Sequence, residues 1–179
     1  MSFTDTPIPD LKIFDPVIWK DERGYFYESF NEKTFADAGI TNRWVQDNQA
    51  RSSYGVLRGL HYQTGEYAQA KLVRVILGSV FDVAVDIRQN SPTYGQWFGV
   101  LLSGENQRQL YVPRGFAHGY VCLSDDVIFA YKCDNYYEKS AEGGIKFDDP
   151  QLQIEWKIPH DKAIVSAKDL VLPYFGNHR

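Results

Sequence analysis

Val80-Phe-Asp-Val-Ala-Val-Asp-Ile-Arg88 alternates without a break, with Phe81, Val83, Val85 and Ile87 on one side and Asp82, Ala84, Asp86 and Arg88 on the other. A repeat of two is the spacing of a β-strand with unlike faces. Asp82 and Asp86 share the polar face and are expected either to hold neighbouring arginines or to be solvated. Upstream, Leu72 to Leu77 is an apolar strand that stops at Gly78-Ser79. Downstream, Gln89-Asn-Ser-Pro-Thr93 reads as a turn. Strands then follow at Gln96 to Leu102, Gln109 to Pro113, Gly119 to Cys122 and Val127 to Cys133. Short strands at intervals of roughly ten residues indicate an all-β sandwich or jelly roll. Helix is scarce: Asn31 to Gly39 has an Asn cap and a Gly terminator, and Asp161 to Asp169 has room for a turn or two.

The chain has 179 residues, 44% of them hydrophobic, which suits one domain with a sizeable core, an N-terminal edge segment and a short C-terminal tail. Its 12 Tyr, 11 Phe and 4 Trp against one Met lean toward β-structure and offer surfaces for stacking a flat ligand. A net charge of −4 argues against a general nucleic-acid binder, while a local group of Arg and Lys can still receive a small anion. Cys122 and Cys133 sit in apolar runs and make no disulfide framework, so buried reduced thiols are expected. Met1 to Pro9 has no basic region followed by an apolar one, and no apolar stretch approaches the ~18 residues that span a bilayer. The expected setting is soluble and cytoplasmic, with no membrane partner.

Four segments carry residues able to move or stabilise a proton. They are His61 in Val56-Leu-Arg-Gly-Leu-His-Tyr-Gln63, Lys71 in Gln69-Ala-Lys-Leu-Val-Arg74, Tyr131 in Phe129-Ala-Tyr-Lys-Cys133, and Asp169 in Ser166-Ala-Lys-Asp169. No nucleophile elbow or phosphate loop accompanies them. A base, a cation and a phenol on strands suit proton chemistry beside a carbonyl. Tyr131 shares a face with Val127, Phe129 and Cys133. Lys71 begins an apolar row with Val73, Val75 and Leu77, where a charge needs a partner or a ligand. Arg58 and His61 have opposite parity, and a bulge at Gly59 would turn both into one cavity. His160 and His178 read as surface residues.

Together with Asp21-Glu-Arg-Gly-Tyr-Phe-Tyr-Glu-Ser-Phe30, Gln46-Asp-Asn48, Asp82 to Arg88, Val112-Pro-Arg-Gly-Phe-Ala-His-Gly119 and Tyr131-Lys-Cys-Asp-Asn-Tyr-Tyr137, these segments resemble the dTDP-4-dehydrorhamnose 3,5-epimerases, in order, from about residue 10 to residue 173. The resemblance implies a cupin-type jelly roll acting as a homodimer without metal or cofactor. Its substrate would be the nucleotide sugar dTDP-4-dehydro-6-deoxy-D-glucose, turned into dTDP-4-dehydro-L-rhamnose. It matches His61 to the base, Asp169 to its dyad partner, Tyr131 to the acid and Lys71 to the residue beside the keto oxygen. Arg23, Phe26, Glu28, Gln46, Asn48, Arg58, Tyr137, Glu142 and Lys168 fall at or near nucleotide-binding positions. His118 either binds phosphate or packs beneath the site. Of Tyr136 and Tyr137, the second is favoured to stack on thymine. Lys168 departs from the family pattern, where Arg is frequent, and loses bidentate contact with phosphate.

A ketone at C4 makes the hydrogens at C3 and C5 removable as enolates, and in the gluco ring both lie on one face. One base below, one acid above and one cation at the enolate oxygen form the minimum set. Two rivals remain open. A metal-dependent cupin wants two or three His and a carboxylate around one ion, but Gln63 stands where a His-x-His pair would need its second member. A binding module explains the aromatics but not the base, acid and cation together. Within the family, an enzyme inverting only C3 or only C5 of a related 4-keto sugar is the alternative.

Overall fold

The computed structural model describes residues 2–178. The strands are β1 Ser2–Asp5, β2 Lys12–Asp15, β3 Trp19–Asp21, β4 Gly24–Phe26, β5 Gln46–Ser52, β6 Val56–Gln63, β7 Lys71–Leu77, β8 Ser79–Asp86, β9 Trp97–Ser103, β10 Gln109–Val112, β11 Phe116–Cys122, β12 Val127–Cys133, β13 Glu142–Gly144 and β14 Ile164–Val165. Two short helices, α1 Glu32–Asp37 and α2 Ala167–Leu170, complete the regular structure beside three single 3₁₀ turns.

One six-stranded sheet runs β1-β2-β10-β7-β12-β5, and a second runs β13-β6-β11-β8-β9 with β14 beside β6. Every pairing is antiparallel except β14 with β6, and β3–β4 forms a separate hairpin. From β5 to β8, and again from β9 to β13, successive strands alternate between the sheets, as in a jelly roll. Between the sheets lie Val73, Val75, Leu110 and Phe129 from the first and Val80, Ala84, Leu102 and Tyr120 from the second.

The alternation of Val80 to Arg88 is real, but both faces are covered. Phe81, Val83 and Val85 point away from the other sheet and pack under Ile145, Phe147, Leu152, Trp156 and Phe175 of the C-terminal third. The opposite face, with Ala84, looks into the sandwich. Asp82 and Asp86 are therefore fully buried, and the solvated reading is corrected. Asp86 accepts from Arg88 Nε at 2.9 Å and from Ser91 and Thr93, as a buried carboxylate requires. Asp82 faces His118 instead of an arginine.

Two smaller expectations also change. Leu77 leaves the inward row and is 46% exposed, because the register shifts between Ile128 and Phe129 and parity is lost at the end of β7. His178 is half-buried, its ring 4.9 Å from that of Phe175. The α1 reading holds: Asn31 Oδ1 accepts from Thr34 N at 3.1 Å, and Phe35 seats the helix on Phe14, Ile40 and Leu72 outside the first sheet. Cys122 and Cys133 are buried and unjoined, and burial pushes both thiols up to about 11. No described helix is long and apolar enough to cross a membrane.

Candidate active site

Arg58 and His61 reach the same cavity because β6 carries one extra residue. His118 faces His61 and Tyr120 faces Arg58, so one residue of β11 lies between the pairs where β6 has two. The bulge is built on Gly59, whose φ of +131° a side chain rarely adopts. A Cβ there would meet Gly119 Cα at 2.5 Å, so the two glycines let the backbones touch.

The cavity, about 520 Å³, lies between the sheets. Arg58, His61, His118 and Tyr120 line it from the second sheet, Lys71, Phe129 and Tyr131 from the first, and Lys168 and Asp169 from α2. An adjoining space of about 340 Å³ shares His61, Lys71 and Tyr131 and adds Gln46, Asn48, Cys133, Tyr137 and Glu142. Residues more than a hundred positions apart in sequence thus meet at one place.

His61 Nε2 lies 2.7 Å from Asp169 Oδ1. The carboxylate can only accept, so Nε2 carries the proton, and in the neutral ring the lone pair falls on Nδ1. Asp169 also accepts from Gly59 N at 3.4 Å, and the Ser166 hydroxyl caps α2 through Asp169 N at 3.1 Å. Burial raises the Asp169 carboxyl, but the hydrogen bond and charge of His61 outweigh it, so the group sits below the usual carboxylate range. Burial lowers Lys71, an effect that Cys133, Asp82 and Glu142 only partly oppose. No hydrogen bond or ion pair of its ammonium to a protein group is seen among the described residues. Burial raises the Tyr131 phenol, which keeps its proton. The set is an imidazole oriented by a carboxylate, a protonated phenol on the facing sheet and a buried amine at the wall.

The other expected residues divide. Gln46 Nε2 donates to Asn48 Oδ1 at 3.1 Å on β5. Lys168 Nζ donates to Glu142 Oε1 at 2.5 Å, and Tyr137 Oη donates to Glu142 Oε2 at 3.2 Å, making a polar rim. The lysine raises its own pKa through this bond and holds Glu142 below the ordinary value against the effect of burial. Gln63, which the sequence offered only as a missing metal ligand, fixes the approach to Tyr137: its side chain bonds Tyr67 O, Tyr136 O and Glu138 N. Arg23, Phe26 and Glu28 do not line the cavity of their own chain. They lie on or just after the β3–β4 hairpin, where Arg23 pairs with Asp21 and Phe26 is 71% exposed.

Sequence reasoning missed Asp82 as a partner in this site. His118 Nε2 donates to both Asp82 oxygens, at 2.9 and 3.0 Å, forming a second imidazole–carboxylate pair beside the first. The position of Asp82 on a strand interrupted by small and apolar residues was the available signal. Among the described residues, no group of three or more His, Cys, Asp or Glu is placed to hold a metal ion.

The sequence model of the dTDP-4-dehydrorhamnose 3,5-epimerases matches residues 5–177. A dTDP-4-dehydrorhamnose 3,5-epimerase of Shigella flexneri is 54% identical over 171 residues, covering 95% of this chain and 93% of its own. A crystal structure of the Legionella pneumophila dTDP-6-deoxy-D-glucose-3,5-epimerase in complex with dTDP-4-keto-L-rhamnose superposes with a TM-score of 0.94 at 52% identity, covering 98% of this chain and 93% of that one. A 3'-monoepimerase of Streptomyces bikiniensis in complex with dTDP-quinovose is also similar, with a TM-score of 0.88 at 32% identity over 96% of this chain and 86% of that one.

Proposed function

This chain belongs to the dTDP-4-dehydrorhamnose 3,5-epimerase family, and from that premise we propose how its residues divide the reaction. The enzyme epimerises C3 and C5 of dTDP-4-dehydro-6-deoxy-D-glucose to give dTDP-4-dehydro-L-rhamnose for rhamnose supply. His61 Nδ1 takes the proton from C3, and the C–H electron pair becomes the enolate double bond while charge moves to the C4 oxygen. Asp169 stabilises the imidazolium that forms. Lys71 holds the enolate oxygen in a site that excludes much of the water. Tyr131 delivers a proton to the opposite face and is left as phenolate. Solvent returns a proton to Tyr131 and takes one from His61, and the cycle repeats at C5.

The observation that carries this reading is the origin of base and acid on opposite sheets. His61 on β6 and Tyr131 on β12 open into one cavity, so a flat ring between the sheets has one of them on each side. General acid–base groups are each worth roughly 10²–10⁴-fold, and an oxyanion donor about 2.7–4 kcal/mol.

The homodimer is part of the same proposal, within a single catalytic domain in the cytoplasm. Arg23, Phe26 and Glu28 match nucleotide-binding positions yet line no part of their own chain's cavity. The hairpin that holds Arg23 and Phe26 also exposes Trp19 and Tyr25, at 52% and 56%. Aromatic groups left in water on a hairpin fit a contact with a second copy. That copy would receive the nucleotide-facing residues at its own cavity.

Product NMR with dTDP-4-dehydro-6-deoxy-D-glucose in deuterated buffer tests the function. Inversion and deuterium at both C3 and C5 is the expected result. Inversion at one carbon alone would make this chain a monoepimerase, and no deuterium at either would leave only a binding protein.

A further inference from the structure

Tyr120 sits in the wall of the cavity and is 5% exposed. Its hydroxyl is the buried side-chain polar atom for which the protein supplies no hydrogen-bond partner among the described residues. An unsatisfied buried hydroxyl is disfavoured, and native interiors hold few of them. The ring cannot easily swing to find an acceptor, because it stacks on Phe129 at 4.0 Å between centroids with 16° between planes. It belongs to the packed layer between the sheets.

Across the bulge Tyr120 is the strand partner of Arg58, and directly opposite residues of an antiparallel pair carry side chains on the same face. Arg58 reaches only the Ser52 hydroxyl, at 3.2 and 3.4 Å, and has no carboxylate partner among the described residues. The cavity therefore has, at the Arg58 end, a guanidinium with spare donors beside a phenol with no acceptor. Burial raises the phenol above its ordinary value, so it stays protonated and can donate. Lys71, proposed at the C4 oxygen, lies on the facing sheet at the start of β7. A pyranose carries its C1 substituent across the ring from C4, so a ring oriented with C4 toward Lys71 sends its phosphate away from the ammonium.

We propose that Tyr120 is a further substrate-contact residue, its hydroxyl donating to an oxygen of the sugar-bearing phosphate that Arg58 also binds. The inference rests on the nucleotide-sugar reading above and extends it to a residue that reading does not use. Two donors on one anionic oxygen would bind ground and transition states alike, so the contact sets affinity and leaves the chemical step unchanged.

The test is Tyr120→Phe in the full chain, which keeps the stacked ring and removes one oxygen. Calorimetric titration with dTDP is expected to show about tenfold weaker binding, KM for the keto sugar to rise by a similar factor, and kcat to stay within about twofold. Thermal unfolding is expected to be unchanged or higher, because an unpaired polar atom has gone. A double-mutant cycle with Arg58→Lys is expected to be non-additive, since both donors serve one oxygen. Unchanged dTDP affinity in Tyr120→Phe would overturn the proposal, as would a loss of kcat with affinity intact. The titration needs no turnover, so a wild type that binds dTDP but fails to epimerise would sink the proposed function and leave the Tyr120 result readable.

Discussion

His61 Nε2 and Asp169 Oδ1 stand 2.7 Å apart although 108 residues separate them in the chain. In the proposed mechanism the contact decides which nitrogen is the base. Asp169→Asn can offer an amide N–H to Nε2 and so favour the tautomer with its proton on Nδ1, where the lone pair is needed. A fall in kcat of roughly 10²–10⁴-fold is expected, with dTDP affinity retained. His61→Ala is expected to lose deuterium wash-in at C3 and C5 together. Wash-in surviving at either carbon would require a second base.

Tyr131 lies on the opposite sheet, and in the proposed mechanism proton removal does not need it. In Tyr131→Phe, inversion is expected to drop by about 10²-fold or more while solvent exchange at C3 falls less. Comparing NMR rates of deuterium entry and of product formation checks this. Equal losses in both rates would remove Tyr131 from the role of acid.

Lys71 has its pKa lowered by burial. It is therefore charged below that value and neutral above it, and the neutral form is reached at lower pH than in a free lysine, near ~10.4. The profile of kcat/KM is expected to fall on its alkaline side, at lower pH than a free lysine would give, as the ammonium is lost. Lys71→Met is expected to lose about 2.7–4 kcal/mol of transition-state stabilisation. An alkaline limb unchanged in that variant would assign it to another group.

The β3–β4 hairpin gives a test of assembly. If Arg23 serves the partner's cavity, Arg23→Ala and His61→Ala homodimers are both impaired. Mixing them after mild dissociation makes heterodimers with one intact site, and roughly a quarter of wild-type activity is expected to return. If Arg23 serves its own chain, mixing restores nothing.

Asp86 bears on stability in acid. Burial would raise its pKa, but hydrogen bonds from Arg88, Ser91 and Thr93 bring it down to about 2. The unfolded carboxyl titrates near ~3.9, so this stabilisation is fully present above that value and is lost as pH falls toward the folded one. The urea midpoint is expected to drop between about pH 4 and pH 2, less steeply in Asp86→Asn, which starts lower at neutral pH. A parallel acid limb in the variant would place the sensitivity elsewhere.

Strands β7, β10 and β12 were legible because local signals define them: apolar residues at spacing two and turn residues at both ends. The bulge was legible too, since a distortion at Gly59 would bring Arg58 and His61 to one side, and the register shift is there. The inward face of β8 was not. Phe81, Val83 and Val85 look like the interior face, and what covers them arrives from residues 145–175, beyond any window of local pattern. Asp82 was missed for the same reason, because its partner lies on another strand and a paired buried carboxylate is spelled like a solvated one. The cavity residues Lys71, Tyr131 and His61 were recovered through resemblance. The resemblance could not say that Arg23, Phe26 and Glu28 would stand outside their own chain's cavity.

Because the imidazole of residue 61 and the phenol of residue 131 hang from different layers, nothing covalent or local sets the distance between them. The filling does: Val73, Val75 and Leu102 are wholly buried behind Tyr120, Phe129 and Tyr131 and are not themselves part of the cavity lining. Stacked sheets keep a separation fixed by the side chains they enclose, and cores resist even one methylene of change. Trimming Val75 to Ala would act like loosening a calliper: each jaw keeps its chemistry, but the ring is no longer reached from both sides at once. Under the proposed mechanism, stereochemical fidelity is thus partly a property of aliphatic groups that never meet the sugar.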